Sequence, residues 1–244
     1  MTSAPDESDA GLQSVGDLMA GLLLLFMLLA MVFALSLSRT EQSREVEIEA
    51  LTQAVDDQAV LRAAVEARLE AVGVPVSVTP EPGVLRLGEA AIRFAAGRHD
   101  TDEAATLHAL DQLATALVDT LPEYACSAAT GTCPQPPIAA LQSVLIEGHS
   151  DTVDRLADCD NHCLSAERAA WTREQLLKRA PALADLRNRS GHPLFGVSGY
   201  GPDRSLTGLD ATTCASDPDL CREDRRIEVR LRMEAPHHLL PLAQ

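Results

Sequence analysis

The chain has 244 residues, enough for one domain of ordinary size with smaller appendages. Its formal net charge is −16, from 20 Lys and Arg residues against 36 Asp and Glu residues. It therefore offers no basic surface to a phosphate backbone, and we expect no nucleic-acid partner. One Trp, two Tyr and four Phe also argue against a ligand platform built from aromatic rings, so recognition is expected to be polar.

The first segments of the chain predict a membrane anchor. Residues 1–10 are acidic and small and are expected to form a short cytoplasmic tail. Residues 11–38 are predicted to form a transmembrane helix, because the 21 positions from 18 to 38 carry no charge and span roughly 31 Å. A cleaved signal peptide is the alternative, since Ala34 and Ser36 are small. The acidic segment before the run lacks Lys and Arg, which argues against cleavage.

Residues 39–72 are predicted to form a helical stalk, which could be a coiled coil. They contain no Gly or Pro, and Ile48, Leu51 and Val55 recur at helical spacing among many charges. Gly73 and Pro75 are expected to end this helix.

Residues 73–235 predict an α+β domain, and residues 236–244 are expected to form a flexible tail. The predicted elements are a hairpin at 76–78 and 84–87, a helix at 101–121, a strand at 143–147, a helix at 165–179, and strands at 197–200 and 227–233. Ser165 is the expected cap of the second helix. The order βαβαββ is typical of a sandwich with helices on one face of a sheet.

The cysteines indicate the compartment. All six follow the apolar run, in three closely spaced pairs: Cys126 and Cys133, Cys159 and Cys163, Cys214 and Cys221. An even count in short polar loops is typical of local disulfides in an oxidising compartment, although other connectivities are open. Zinc at the Cys159 pair is the weaker alternative, because no second pair stands at metal-site spacing. We expect neither a metal nor a cofactor.

The orientation of the anchor follows from the same cysteines. Arg39 and Arg44 just after the apolar run would favour a cytoplasmic C-terminal side by the positive-inside rule, but they are mixed with Glu41 and Glu45. We give the cysteines more weight. The prediction is a single-pass inner-membrane protein with a cytoplasmic N-terminus and a periplasmic C-terminal domain.

Four ordered motifs resemble the C-terminal domain family of OmpA and cover about residues 84–233. They are Gly148-His149-Ser150-Asp151, Asn161-x-x-Leu164-Ser165-x-x-Arg168-Ala169, Val197-Ser198-Gly199-Tyr200-Gly201 and Asp224-Arg225-Arg226. Ser150 stands where that family usually has Thr, and Asp224 where it usually has Asn. Cysteine-bearing insertions, one of them between Asp151 and Asn161, are further departures. The resemblance implies a domain that binds the diaminopimelate stem of peptidoglycan.

The charged residues of these motifs suit a zwitterionic ligand. Asp151 at a strand end can bind an ammonium, and Arg168 near the start of the next helix can bind a carboxylate in bidentate fashion. Backbone N–H groups of a helix beginning at Ser165 are expected to assist. Asn161, Leu164 and Arg226 are expected to shape the site. The alternative is that Asp151 and Arg168 merely pair with each other on a solvated surface.

Asp17 is the one ionisable residue between positions 10 and 38. A carboxylate inside a membrane helix is costly unless it faces a partner or water, so Asp17 is a candidate for ion binding. The alternative is a helix that begins at Leu18 and is capped by Asp17 at the headgroups.

The order of tail, membrane helix with an early Asp, stalk and OmpA-like domain resembles the B subunits of proton-driven stators, of which flagellar MotB is one. The resemblance implies a homodimer inside a pentamer of multi-helix A subunits, with Asp17 binding the translocated proton and peptidoglycan holding the dimer still. The acidic tail, compact size and cysteine insertions are more similar to the stator-type subunits of Zorya anti-phage defence systems. A flagellar stator subunit and a passive wall tether are the alternatives.

An enzyme is not expected. No G-x-S-x-G elbow is present, and the cysteines are expected to be paired.

Overall fold

The computed structural model describes residues 7–77, 79–135, 138–153 and 159–234, with side chains from residue 18 onward. The chain divides into an N-terminal unit, residues 1–49, and a larger unit that begins at Ala50. Helix α1 (Glu7–Ala71) includes residues of both. The helix already includes residues 7–10, which were expected to belong to the cytoplasmic tail. Residues 1–6 and the predicted tail 236–244 lie outside the described residues.

The N-terminal part of α1 is long and apolar enough to cross a membrane. Its most apolar 18-residue window has a mean hydropathy of 2.8, and none of that window is buried. Large side chains such as Leu22, Phe26 and Phe33 are each about 70% exposed. Such a row of exposed apolar side chains is unfavourable in water and suited to lipid.

The C-terminal part of α1 belongs to the core of the larger unit. Leu61, Val65 and Leu69 recur every four residues, are almost fully buried, and pack in the main hydrophobic cluster. The helix ends before Gly73, whose φ of +77° lies in the left-handed region that favours glycine.

This placement corrects the predicted domain boundary. The domain was expected to begin at residue 73, after a separate stalk, but the larger unit begins at Ala50. The apolar stripe of the predicted stalk is only partly covered: Val65 and Leu69 pack in the core of the domain, whereas Ile48, Leu51 and Val55 are exposed. Asp57 adds a polar anchor, because its carboxylate accepts a hydrogen bond of 2.7 Å from the backbone N–H of Ala139.

Four strands form the central sheet: β1 (Val84–Gly88), β3 (Ala140–His149), β5 (Phe195–Gly199) and β6 (Arg226–Glu234). Their order is β1-β6-β3-β5. Strand β6 is antiparallel to β1 and β3, whereas β5 is parallel to β3. Two short strands, β2 (Cys126–Ser127) and β4 (Leu186–Arg187), pair separately.

Helices α2 (Ala104–Thr120) and α3 (Asn161–Arg179) pack on the apolar face of this sheet. Leu110, Leu113 and Leu117 of α2 are fully buried with Ile146 and Val229 of the sheet. A short helix α4 (Ala211–Ser216) and 3-10 turns at Leu121–Tyr124, Pro181–Asp185 and Pro218–Asp224 complete the connections. The α+β class and the βαβαββ order of the main elements are confirmed.

Two local predictions differ from the structure. The hairpin is reduced to one bridge between Ser77 and Arg86, because Pro75 and Pro80 on either side cannot donate to a ladder; Val78 lies outside the described residues. Helix α3 begins four residues earlier than predicted, as described with the site below.

The disulfides join the three pairs that are adjacent in sequence. Cys126 bonds to Cys133, Cys159 to Cys163, and Cys214 to Cys221. The alternative of a zinc site at Cys159 and Cys163 is therefore wrong, because the two sulfur atoms are bonded to each other.

Candidate functional site

The end of β3 and the start of α3 are in direct contact, and two glycines allow this. A Cβ at Gly148 would lie 1.9 Å from the carbonyl oxygen of Ser165, and one at Gly199 would lie 2.4 Å from the backbone nitrogen of Ala166. Only glycine fits at such approaches. The glycine of the strand-end motif is thus explained by the helix that packs on it, and the sequence motifs meet at one place.

A cavity of about 350 Å³ opens at this meeting point. Four of the predicted site residues line it: Asp151, Asn161, Leu164 and Arg168. Ser165 and Arg226 do not. The remaining lining residues are Glu89, Arg93, Phe94, Ala95, Ala96, Gly97, Ser150, Val153, Pro218, Asp219 and Arg225.

Arg168 is fixed in the wall of the cavity. Its Nε donates to the carbonyl of Arg98 at 2.9 Å and its Nη2 to the carbonyl of Ala95 at 3.1 Å. The guanidinium carbon lies 5.1 Å from the ring centroid of Phe94, a cation–π distance. Burial lowers the pKa of Arg168 to about 10, so the side chain is still a cation at neutral pH. Its other N–H groups have no partner among the described residues and remain for an anionic ligand.

Asp151 and Arg168 are both buried and are not paired with each other, which argues against the surface-pair alternative. One oxygen of Asp151 accepts from the backbone N–H of Val153 at 3.1 Å, and the other pairs with Arg225 at 2.8 Å. Arg225 in turn forms a bidentate pair with Glu89, with N···O distances of 2.6 and 3.0 Å. These hydrogen bonds to Glu89 raise the pKa of Arg225.

The cavity is balanced in charge although the chain is strongly acidic. Three guanidinium groups face three carboxylates along its lining: Arg93, Arg168 and Arg225 against Glu89, Asp151 and Asp219. A wall with both signs and no net charge complements a ligand that also carries both signs. The arrangement therefore suits a zwitterion better than a simple anion or cation.

Ser150 and Asn161 supply further polar groups at the cavity. The Oγ of Ser150 is buried and has no hydrogen-bond partner in the part of the chain that is described, so a ligand at the cavity can satisfy it. The amide nitrogen of Asn161 donates to the carbonyl of Asp151 at 3.0 Å. Asn161 thus holds the strand-end turn against α3.

The role expected of Ser165 is corrected. The N-cap of α3 is Asp160, whose carboxylate accepts from the backbone N–H of Cys163 at 2.8 Å, in keeping with the preference for Asp at this position. Ser165 lies beyond the first turn and is fully buried. Its Oγ donates to the carbonyl of His162 and accepts from the N–H of Gly201, both at 2.9 Å. Its backbone N–H is therefore not one of the free groups at the helix end.

Arg226 lies in a buried ionic network and does not line the 350 Å³ cavity, although it shares a small adjoining space with Arg168 and Arg225. Its Nε bonds to Glu228 at 2.7 Å, and Arg86 pairs with the same carboxylate at 2.9 Å. His149 is buried beside them, with its Nε2 3.6 Å from Glu228. Glu147, His149 and Glu228 are close enough to hold a metal ion, but Arg86 and Arg226 already neutralise Glu228, and Arg230 pairs with Glu147 at 3.0 Å. This cluster is consistent with a structural role.

Asp224 organises the loop that precedes β6. Its buried carboxylate accepts hydrogen bonds from the backbone N–H groups of Leu206 and Thr207 and from the hydroxyls of Ser205 and Thr207. Burial alone would raise the pKa of Asp224, but these hydrogen bonds lower it below its ordinary value.

Asp224→Ala is expected to lower the free energy of unfolding by about 2–4 kcal/mol, because several donors lose a charged acceptor. Since the folded pKa of Asp224 is depressed, its contribution is present above the ordinary pKa of ~3.9 and is lost as pH falls further. The stability gap between parent and variant should therefore shrink below about pH 4. Denaturant unfolding followed by circular dichroism measures it. Asp203→Ala, an exposed change nearby, is the control, and a gap of equal size at pH 3 and pH 7 contradicts the prediction.

The disulfide between Cys159 and Cys163 is placed to support the cavity. It encloses Asp160 and Asn161, the cap of α3 and the residue that bonds to the carbonyl of Asp151. Closing so short a loop removes roughly 2 kcal/mol of chain entropy from the unlinked segment.

Replacing Cys159 and Cys163 together by Ser is expected to weaken the peptidoglycan binding that the sequence motifs imply about tenfold, ~1.4 kcal/mol, because the start of α3 must then be ordered by the ligand. Binding is measured by sedimentation with purified sacculi. Replacing Cys126 and Cys133 by Ser is the matched control, since that disulfide joins β2 to the loop after it and not the start of α3, and should leave binding unchanged. Equal binding by both double variants contradicts a role for the first disulfide.

Sequence reasoning missed Arg225, Glu89, Phe94 and Ser150. Arg225 and Ser150 stood inside recognised motifs, and the choice of Arg226 over Arg225 required knowing which of two neighbouring residues faces the cavity. Glu89 and Phe94 belong to a connection after β1 that carries no periodic pattern.

No family model and no curated protein matches the chain. Solved structures do match. A MotB-like protein from Desulfovibrio vulgaris superposes with a TM-score of 0.50 at 18% identity, covering 80% of this chain and 98% of that one. The periplasmic domain of Helicobacter pylori MotB matches with a TM-score of 0.45, 13% identity and coverage of 66% and 79%.

The cell wall anchor of the T6SS from Pseudomonas aeruginosa matches with a TM-score of 0.46, 16% identity and coverage of 72% and 99%. The Desulfovibrio match shows that the chain shares the fold of a MotB-like protein.

Proposed function

We propose that this chain is the B-type subunit of a proton-driven inner-membrane motor and that its larger unit binds the diaminopimelate stem of peptidoglycan. The observation that carries the proposal is the charge-balanced cavity between β3 and α3, set in a fold shared with a MotB-like protein.

The cavity can hold the amino-acid end of diaminopimelate by its two charges. The carboxylate accepts hydrogen bonds from the free N–H groups of Arg168 and from the Oγ of Ser150. The ammonium lies against Asp151, whose carboxylate is shared with Arg225. Glu89 offsets the positive charge of Arg225. The ammonium of the ligand, which lies beside Asp151 as a second cation, therefore meets little net repulsion.

Competition by the free amino acid tests this part of the proposal. The full chain in detergent is incubated with purified sacculi and increasing meso-diaminopimelate. We expect the amino acid to release the protein, whereas pimelate, which has the two carboxylates but no ammonium group, should release much less. Retention on the sacculi at saturating diaminopimelate would show that the cavity does not hold this group.

The membrane part of the proposal rests on the position of Asp17. The described helix begins at Glu7, ten residues before Asp17, which argues against Asp17 as the helix cap. A carboxylate within a membrane helix needs a partner or water, and a proton-conducting path supplies both. The carboxylate must also release its proton, so its burial cannot be complete.

In the proposed mechanism the cell wall holds the chain in place while its membrane helix takes part in proton conduction. Protons driven by the membrane potential bind to Asp17 and leave it, and a pentamer of A-type subunits turns around a dimer of this chain. Peptidoglycan bound in the cavity keeps the dimer from turning with the ring.

We further propose that the motor belongs to a Zorya anti-phage defence system, in which the corresponding subunit is ZorB. The acidic segment before the membrane helix, the compact size and the three cysteine-bridged loops support this over a flagellar motor. A neighbouring gene for a multi-span A-type subunit, followed by a helicase-like gene, is expected. Flagellar genes in those positions would favour the flagellar alternative.

A further inference from the structure

A second groove adjoins the candidate cavity. Its volume is about 490 Å³, and Ala95 lines both spaces. The segment between them is fixed by the two hydrogen bonds of Arg168 to the carbonyls of Ala95 and Arg98. The other lining residues are Arg98, Asp100, Thr101, Asp102, Leu107, Trp171 and Gln175.

The groove combines the single tryptophan of the chain with a polar rim. Trp171 is half-buried, and its ring is held edge-on to Phe94, with centroids 5.5 Å apart and planes at 79°. Arg98 and Asp100 form an ion pair of 2.8 Å on the rim. Gln175 is oriented by its side-chain oxygen, which accepts from Arg179 at 2.6 Å.

Several polar groups of this groove are unused. The indole N–H of Trp171, the carboxylate of Asp102 and the amide nitrogen of Gln175 make no hydrogen bond within the described residues. A rigid aromatic surface beside free donors and acceptors matches a ligand with an apolar face and a hydroxylated edge. A pyranose ring has both, since its C–H groups lie on the faces and its hydroxyls around the rim.

The position of the groove agrees with the covalent structure of peptidoglycan. The stem is attached to an amino sugar, and diaminopimelate lies two residues along it. Two extended residues span roughly 7 Å, and the diaminopimelate side chain whose end enters the cavity adds about as much again, so the sugar can reach a groove beside the cavity. The groove that shares Ala95 with the cavity is such a place.

We infer that this groove binds an N-acetylated amino-sugar ring of the glycan strand, with the ring stacked on Trp171. The inference rests on the proposed binding of the stem in the neighbouring cavity. The small number of aromatic residues predicted no ligand platform built from rings. That expectation changes here, because one aromatic ring beside a polar rim is sufficient to bind one sugar.

Trp171 provides its own test, since it is the only tryptophan of the full chain. Glycan strands freed of their stems by an amidase are titrated into the full chain in detergent, and tryptophan emission is followed. We expect a saturable change in emission with these strands and none with a glucan of equal length. An emission that does not respond to the stem-free strands overturns the inference.

Three variants complete the experiment. Trp171→Ala is expected to bind a disaccharide-tripeptide about tenfold more weakly, ~1.4 kcal/mol, and to bind the free tripeptide as the parent does. Asp102→Ala and Gln175→Ala, exposed or half-exposed changes that should not disturb folding, are expected to act in the same direction.

The outcomes separate the two proposals. If the variants bind the disaccharide-tripeptide as tightly as the parent while the tripeptide still binds, the glycan inference is wrong and the stem proposal stands. If neither the tripeptide nor the stem-free strands bind the parent, both proposals are overturned.

Discussion

Asp17→Asn is expected to abolish motor output while leaving the chain in the membrane and on the cell wall. Asparagine is close to aspartate in size and fits the same helix, but it cannot take up and release a proton near neutral pH. Phage protection, with the complete gene set expressed in cells, should fall to the level of cells without the system. Membrane fractionation and sedimentation with sacculi should be unchanged.

The matched control is Asp9→Asn, which removes a carboxylate before the apolar run and should retain output. Asp17→Glu keeps the titrating group and should retain part of it. Full protection by the Asp17→Asn variant would show that the chain is a passive wall tether, in which the membrane helix serves only as an anchor.

The Asp151→Ala, Arg168→Ala double variant is expected to lose binding to peptidoglycan. Truncating one member of a buried, hydrogen-bonded charge pair costs about 2–5 kcal/mol, which is roughly 30-fold to several thousandfold in affinity. Arg168→Lys keeps the charge but not the fork that bonds to two carbonyls, so we expect an intermediate loss of about tenfold. Sedimentation of the full chain with purified sacculi measures all of these.

Lys178→Ala is the control for a lost cation on the same helix, because Lys178 is exposed and pairs with the exposed Glu174. It should bind as the parent does. Thermal unfolding must accompany the binding data, because Arg168 also supports the segment at Ala95 and Arg98. A double variant that folds and still sediments with sacculi like the parent is incompatible with the proposed site.

The motifs allowed much of the site to be predicted from the sequence. Asp151, Asn161, Leu164 and Arg168 were placed together because a strand end and the start of the following helix adjoin in this type of fold, and all four line one cavity. The pattern could not distinguish Arg225 from Arg226. Neighbouring residues of an extended chain face opposite ways, and only the pairing of His149 with Arg226 in the sheet decides which one is turned away.

Helical periodicity had a similar limit along α1. It showed that residues 39–72 have an apolar face but not what covers that face. In the structure Leu61, Val65 and Leu69 are covered by the domain itself. Nor could composition show that the one tryptophan lies beside a polar groove.

The burial of the end of α1 has a mechanical consequence. A protein that must resist torque loses work in any compliant joint between the part that is held and the part that is loaded. From Ala50 onward this helix is part of the same unit as the candidate cavity, and packed interiors deform little. A torsional load on this stretch of helix would therefore meet the stiffness of a protein core and be transmitted to the candidate cavity without a flexible joint in between.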